Sequence, residues 1–223
     1  MTSVKIVSYS KPVEEFAQEG IENVQDLIAY CARVSNPSAQ INSETSAKLI
    51  KYLIKHQHWS PLEMVNATLE INTTRDIAHQ IVRHRSFSFQ EFSQRYANPA
   101  EFGDQFVTRE ARLQDTKNRQ NSIEIDNESD LHYEWQLKQQ KVIDVAREVY
   151  DWAIAAGIAK EQARVVLPEG NTKTRLYMNG TLRSWVHYIE LRGANGTQKE
   201  HMQIAHACAR VISDIFPLMN ELK

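Results

Sequence analysis

From Arg83 to Tyr96 the chain reads Arg83-His84-Arg85-Ser86-Phe87-Ser88-Phe89-Gln90-Glu91-Phe92-Ser93-Gln94-Arg95-Tyr96. Three of its seven phenylalanines fall here, among arginines and hydroxyls. Guanidinium forks grip phosphate or carboxylate bidentately, and serine hydroxyls complete an oxyanion cradle. Aromatic faces beside them suit a planar ring. The combination points to a pocket for an anionic, aromatic ligand such as a nucleotide or a flavin. Single-stranded nucleic acid wants the same interleaving of basic and aromatic residues. Against it, the cluster is short and the whole chain carries a formal charge of −2, so such binding would be weak and salt-sensitive. Two histidines and an arginine at a helix end also complement the helix dipole, worth ~0.3–1 kcal/mol each. The aromatic, hydroxyl-rich stretch that follows asks for more than that.

The element that must carry the first of these groups is a helix expected over 74–85. Ile77, Ala78, Ile81 and Val82 form its apolar arc, with Asp76, His79, Gln80, Arg83 and His84 opposite. Before it, Met64 to Ile71 alternates apolar and polar residues as a half-buried strand does, and Val4 to Tyr9 reads as a short strand. Helices are expected at 23–33 and 43–55, the second broken by His56-Gln57-His58-Trp59-Ser60-Pro61. The polar stretch 116–130 reads as a loop. Asp130 to Ala156 is the strongest helical signal, closed by Gly157. Leu131, Trp135, Val142, Val145, Val149, Trp152 and Ala156 share one face of it. At 1.5 Å per residue it would be about 40 Å long. It either spans the core of one subunit or overhangs to pack on a second copy. Further helices are expected over 181–192 and 197–220, the last opened by a capping box of Thr197 and Glu200. Helices outnumber strands without regular alternation. The expected fold is therefore α+β, a single domain with a small antiparallel sheet flanked by helices, one of them long.

Composition narrows the class. At 223 residues, 42% hydrophobic and 24% charged, the chain has ordinary globular usage and can bury its own core. No apolar run approaches the ~18 residues needed to cross a bilayer, and the N-terminus lacks the pattern of a signal peptide. Cys31 and Cys208 stand far apart, which excludes a disulfide framework or a cysteine zinc cluster and fits a reducing cytosol. His79 and His84 are five apart, as are His201 and His206, so neither pair shares the face of a zinc helix. No metal is expected.

Arg83-His84-Arg85, seven residues, then Ser93 resembles R-H-R-x7-S, the signature of the flavin-dependent thymidylate synthases, and Ser93-Gln94-Arg95-Tyr96 extends it. His56-Gln57-His58-Trp59-Ser60-Pro61-Leu62-Glu63 resembles that family's H-x-H-x-[ST]-P-x-E element. Ala163-Arg164-Val165-Val166-Leu167-Pro168 is similar to its A-R-x-x-L-P segment. Arg183-Ser184-Trp185-Val186-His187, followed by Arg192, is similar to its C-terminal R-S-x-x-[HN] helix. The blocks keep the family's order. One departure is Thr181-Leu182-Arg183, where the family often has Asn-x-Arg; Asn179 lies two residues too early to substitute.

The resemblance implies methylation of dUMP to dTMP in the cytosol. Carbon would come from 5,10-methylenetetrahydrofolate and reducing equivalents from FAD reduced by NADPH. It also implies a homotetramer whose sites combine residues of several subunits. By the same resemblance, Ser60, Arg83, His84, Arg85, Glu91, Thr181, Arg183 and His187 would hold FAD, with His58 near Ser60. Gln80, Arg83, Glu91, Ser93, Gln94, Arg95, Arg164 and Arg192 would hold dUMP, with Ser93, Gln94 and Arg95 at its phosphate. Arg192 matches the arginine that favours ionisation of the uracil at N3. A serine nucleophile needs a base, so Ser93 reads better as a phosphate ligand. Classical thymidylate synthases attack uracil with a cysteine thiolate. Here Cys31 and Cys208 lie on apolar helix faces and read as small core residues, so neither is expected to be essential. The rival readings are a nucleotide- or RNA-binding module that kept the fold without catalysis, and a flavin-dependent transferase acting on a related pyrimidine nucleotide.

Overall fold

In chain order the strands are β1 (Ser3–Tyr9), β2 (Asn66–Thr74), β3 (Ser88–Glu91), β4 (Arg112–Gln114), β5 (Ser122–Glu124) and β6 (Lys173–Thr181). The helices are α1 (Glu14–Gln18), α2 (Val24–Ala32), α3 (Ser46–Lys55), α4 (Arg75–Ile81), α5 (Asp130–Ala155), α6 (Lys160–Ala163), α7 (Leu182–Gly193) and α8 (Lys199–Ser213). The structure, a computed structural model, describes residues 2–221. The α+β expectation holds, with an antiparallel sheet of four strands in the order β1-β2-β6-β3 and a separate β4–β5 pair.

Side chains alternate across each strand, so β2 sends Ala67, Leu69 and Ile71 to one face and β6 sends Leu176 and Met178 to the same face. Those five pack beneath Ile77 and Ile81 of α4, Trp185 and Ile189 of α7, and Ile204, Cys208 and Ile212 of α8. Trp185 donates its indole N–H to the Ala67 carbonyl at 3.1 Å, which satisfies the one polar atom it buries. The opposite face is polar: Glu70 takes Tyr177 Oη at 3.0 Å and Lys5 at 3.2 Å.

Several expectations are corrected. The helix expected over 74–85 ends at Ile81, because the chain must turn back to lay β3 along β6, with Ser88 opposite Asn179 and Glu91 opposite Leu176. The stretch 116–130 is not all loop; β5 pairs with β4, and Asp115 caps the turn between them by accepting from the Lys117 and Asn118 amides. The capping box of Thr197 and Glu200 does not form. Gln198 holds the cap position of α8, Thr197 Oγ1 turns to the Leu191 carbonyl, and the Glu200 carboxylate takes Arg112 at 2.5 Å. A charge-assisted bond to a guanidinium outweighs a neutral amide cap.

The β2–β6–β3 junction also fixes a tight contact. A Cβ on Gly180 would lie 2.4 Å from the Phe87 ring, which is itself wedged against Trp185 with centroids 4.8 Å apart. Gly180→Ala is expected to lose about 1–3 kcal/mol of unfolding free energy, as overpacking does. Urea unfolding measures it, and a variant as stable as the parent contradicts the contact.

The long helix α5 runs 26 residues from its Ser129 cap to a Gly157 stop. Gly157 has φ +80°, its N–H bonds the Ile154 carbonyl and the Ile158 N–H bonds the Ala153 carbonyl, so the turn is a Schellman motif. The buried face is not the stripe expected from sequence. Gln139, Ile143, Ala146, Tyr150 and Ala153 face inward, joining Phe106, Ala163 and Leu167 in a second small core. The expected stripe lies about a quarter-turn away and is exposed, from 37% at Val149 to 64% at Trp152.

Candidate active site

The 12-residue helix α7 organises the candidate residues. Thr181 is its N-cap: Oγ1 accepts from the Ser184 amide at 3.2 Å, and Ser184 Oγ in turn donates to the Ser86 carbonyl at 3.2 Å. The Thr181 side chain is thus committed to starting the helix. In its first turn Arg183 pairs with Glu63, and one turn on His187 meets the Trp59 ring edge-on at 4.4 Å. Gln57, at φ +58° the one non-glycine residue with a positive φ among the described residues, turns the chain out of α3 just before Trp59. Ser60 opens the 3-10 turn Ser60–Met64 and is exposed, as is His58. The two sequence blocks around Ser60 and Arg183, more than a hundred residues apart, therefore form one surface.

In the last turn of α7, Arg192 donates through Nε to His84 Nε2 at 2.9 Å. His84 packs edge-on against Tyr188, centroids 5.0 Å apart. Burial, and after it the Arg192 charge, holds the His84 imidazole below its usual pKa, so it is neutral and accepts this bond. Among the described residues the Nη groups of Arg192 have no hydrogen-bond or ion-pair partner. Beneath them His201 is fully buried and contacts Tyr188 Oη at 3.1 Å and Gln80 Oε1 at 3.2 Å. Gln80 Nε2 donates to Gln198 Oε1 at 2.7 Å. Gln80 lies in the last turn of α4, whereas Arg83 lies in the turn beyond it, so the two do not share one helical face as a longer helix would require. His84 points inward from that turn, while Arg83 and Arg85 are exposed.

A third group sits at α6. Arg95 reaches Glu161 at 3.1 Å and Lys160 Nζ donates to the Tyr96 carbonyl at 3.0 Å, which lays the Ser93–Tyr96 segment on α6. Arg164 caps that helix, so it stands at the same corner. Gln94 is buried, and its Nε2 is a donor with no partner. Arg83, Arg85 and Arg164 make no side-chain hydrogen bond or ion pair among the described residues. Glu91 lies apart, taking Thr174 Oγ1 at 2.9 Å and Arg75 at 3.3 Å beside a cavity of about 560 Å³ lined also by Arg175 and Tyr177. Among the described residues no hydrogen bond or ion pair joins the Ser60–Arg183, Gln80–Arg192 and Ser93–Arg164 groups.

Sequence reasoning missed Tyr188, His201 and Gln198. The signal for His201 was present: it stands at the buried register of α8 with Ile204, Ala205 and Cys208, a polar residue on an apolar stripe. Cys208 is fully buried and burial pushes its thiol far up; Cys31 is raised by burial as well, so neither is a ready thiolate. Among the described residues no three His, Cys, Asp or Glu are grouped to hold a metal, and no helix is long and apolar enough to cross a membrane.

Comparison with known proteins gives this arrangement its relatives. Residues 19–218 match the family model described as thymidylate synthase complementing protein. The chain is 49% identical over 215 residues to a probable flavin-dependent thymidylate synthase of Paramecium bursaria Chlorella virus 1, covering 96% of this chain and 95% of that one. It is 47% identical over 214 residues to a flavin-dependent thymidylate synthase of Synechocystis, with the same coverage. The fold is similar to that of a UMP/dUMP methylase, PolB of Streptomyces cacaoi, bound with 5-Br dUMP. There the TM-score is 0.82 at 24% identity, covering all of this chain and 94% of that one.

Proposed function

The chain belongs to the thymidylate synthase complementing protein family, the flavin-dependent thymidylate synthases, and from that membership we propose that it methylates dUMP to dTMP. The carbon comes from 5,10-methylenetetrahydrofolate and the reductant is NADPH acting through FAD. The protein works in the cytosol as a homotetramer, with residues 1–223 as one catalytic domain. The observation that carries the reading is the near-full-length match to relatives of that name.

The donor set fits a flavin. Arg83 and Arg85 offer unpaired guanidinium groups to a pyrophosphate, and the His187–Trp59 pair offers ring faces and edges. Ser60, Arg83, His84, Arg85, Glu91, Arg183 and His187 hold it, with Thr181 acting through the start of α7. When bound, FAD would supply the reducing equivalents and carry the one-carbon unit, and no protein nucleophile would then be needed. Gln80, Arg83, Glu91, Ser93, Gln94, Arg95, Arg164 and Arg192 hold dUMP. A phosphate dianion competes with the half-exposed Glu161 for Arg95, and Arg164 stands ready at the same corner. Arg192, oriented by neutral His84, places a cation where negative charge develops on the uracil, which stabilises the N3-ionised ring most in a water-poor site. The exposed apolar stripe of α5 supports an assembly in which several subunits share the site.

Purified protein should be yellow, and anaerobic NADPH with dUMP should bleach it. Adding the folate should then yield dTMP, measured by chromatography against parallel reactions with UMP and dCMP. A colourless protein that FAD does not reconstitute, or a flavoprotein that makes no dTMP, overturns the reading. Product from UMP or dCMP in place of dUMP moves the chain to the related-transferase reading.

A further inference from the structure

Gln80 belongs to a hydrogen-bonded chain whose direction is set at one end. Arg112 Nη2 donates to Glu200 Oε1 at 2.5 Å, and Gln198 Nε2 donates to Glu200 Oε2 at 2.9 Å. A carboxylate only accepts, so the amide end of Gln198 must face Glu200 and its Oε1 must face Gln80. Gln80 Nε2 therefore donates at 2.7 Å, and its Oε1 turns to His201 Nδ1 at 3.2 Å. An amide oxygen carries no proton, so Nδ1 carries it. Burial, with the charge of Arg192 adding, pushes His201 down to about 3, and the imidazole has only that one proton at neutral pH. Nε2 is then bare and accepts from Tyr188 Oη at 3.1 Å. Tyr188 keeps its proton, since burial raises its hydroxyl well above the usual value. Every polar end in the chain from Glu200 to Tyr188 is assigned without ambiguity.

We propose that His201 and Gln198 are positioning residues that lock the side-chain amide of Gln80 in one of its two flip states for the nucleotide. A glutamine amide has two N–H groups and two oxygen lone pairs. One of each is used within the protein, which leaves one donor and one acceptor in a fixed order for the substrate. Neither partner touches the nucleotide itself. Fixing an otherwise free amide spares the ordering cost at binding. His201, at no exposure, and Tyr188, at 1%, make the clamp rigid, and Arg112 ties it to the β4–β5 hairpin. The proposal rests on Gln80 meeting dUMP, and the test separates the two.

The measurements are the dUMP dissociation constant of the FAD-loaded protein by calorimetry, the KM for dUMP and for the folate, and flavin content. Gln80→Ala should weaken dUMP binding by about tenfold, the loss of a positioned hydrogen bond. His201→Leu and Gln198→Leu should each reproduce that loss for dUMP while leaving the folate KM and flavin content alone. His201→Asn, whose amide can place an N–H where Nδ1 stood, should restore binding to within about threefold of the parent. If His201→Leu fails to load flavin, half-buried Gln198 carries the test alone. An effect of Gln80→Ala with none from His201→Leu or Gln198→Leu overturns the clamp and spares the site. An unchanged dissociation constant for Gln80→Ala overturns both. Equal losses in His201→Leu and His201→Asn, or losses shared by the folate KM, show a structural role only and overturn the clamp.

Discussion

Arg192→Ala lowers kcat for dTMP formation by about 10²–10³, the range seen when a preorganised charge-stabilising donor is removed. The folded protein should still bind FAD, because Arg83, Arg85 and Arg183 remain. Arg192→Lys should recover little. A lysine ammonium cannot donate from Nε to His84 and still present a planar fork outward. The same substitution has a second readout. The Arg192 charge is, after burial, one of the two causes that depress His84, so its removal should let the imidazole pKa rise toward the ordinary value. Proton NMR of the His84 ring follows that directly. A full-rate Arg192→Ala enzyme removes Arg192 from the reaction, and an unmoved His84 denies the contact seen at 2.9 Å.

Trp135→Glu with Val145→Glu is expected to break the proposed homotetramer and abolish most dTMP formation, with the single-chain fold intact. Both side chains are about half exposed in the isolated chain, at 45% and 52%, and neither joins the small core beneath α5. A contiguous apolar stripe of this length on one helix face marks a protein contact. Burying half of a large apolar side chain is worth on the order of 1 kcal/mol. A two-fold contact counts each substitution twice, and charges desolvated against apolar neighbours add to that. Association should therefore weaken by at least about a hundredfold, visible in sedimentation velocity. Circular dichroism should stay that of the parent. A double variant that sediments like the parent places the subunit contact elsewhere.

How much was legible in the sequence depends on whether local chemistry or distant pairing decides each feature. Residues 83–95 are informative by their types alone, and their order with the blocks at Ser60, Arg164 and Arg183 identifies the family. The strand β6 is hard to read from sequence although Thr174, Leu176 and Met178 alternate with Lys173, Arg175 and Tyr177. Its Asn, Gly and Lys residues have low strand propensity, and pairing with β2 and β3 on both sides overrides it. The end of α4 was misplaced for the same reason, since helical periodicity continues to His84 but β3 pairing pulls the chain away after Ile81. On α5 the periodicity was real, and one chain cannot show which of two adjoining apolar faces its own core takes. The role of His201 is hidden in the sequence because a buried polar side chain is recognised by its partners, and those come from α4 and α7.

Helix α7 carries Arg183 and His187, proposed for the flavin, and Arg192, proposed for dUMP, along a single rigid rod. From Arg183 to Arg192 the rise is about 13 Å at 1.5 Å per residue, which sets the separation of the two binding ends as a ruler does. An inserted or deleted residue between them would shift one end by a notch and swing it about 100° around the axis. That stretch can therefore change its letters but not its length. The β4–β5 turn spans no such interval, so an inserted residue there leaves the spacing along α7 unchanged.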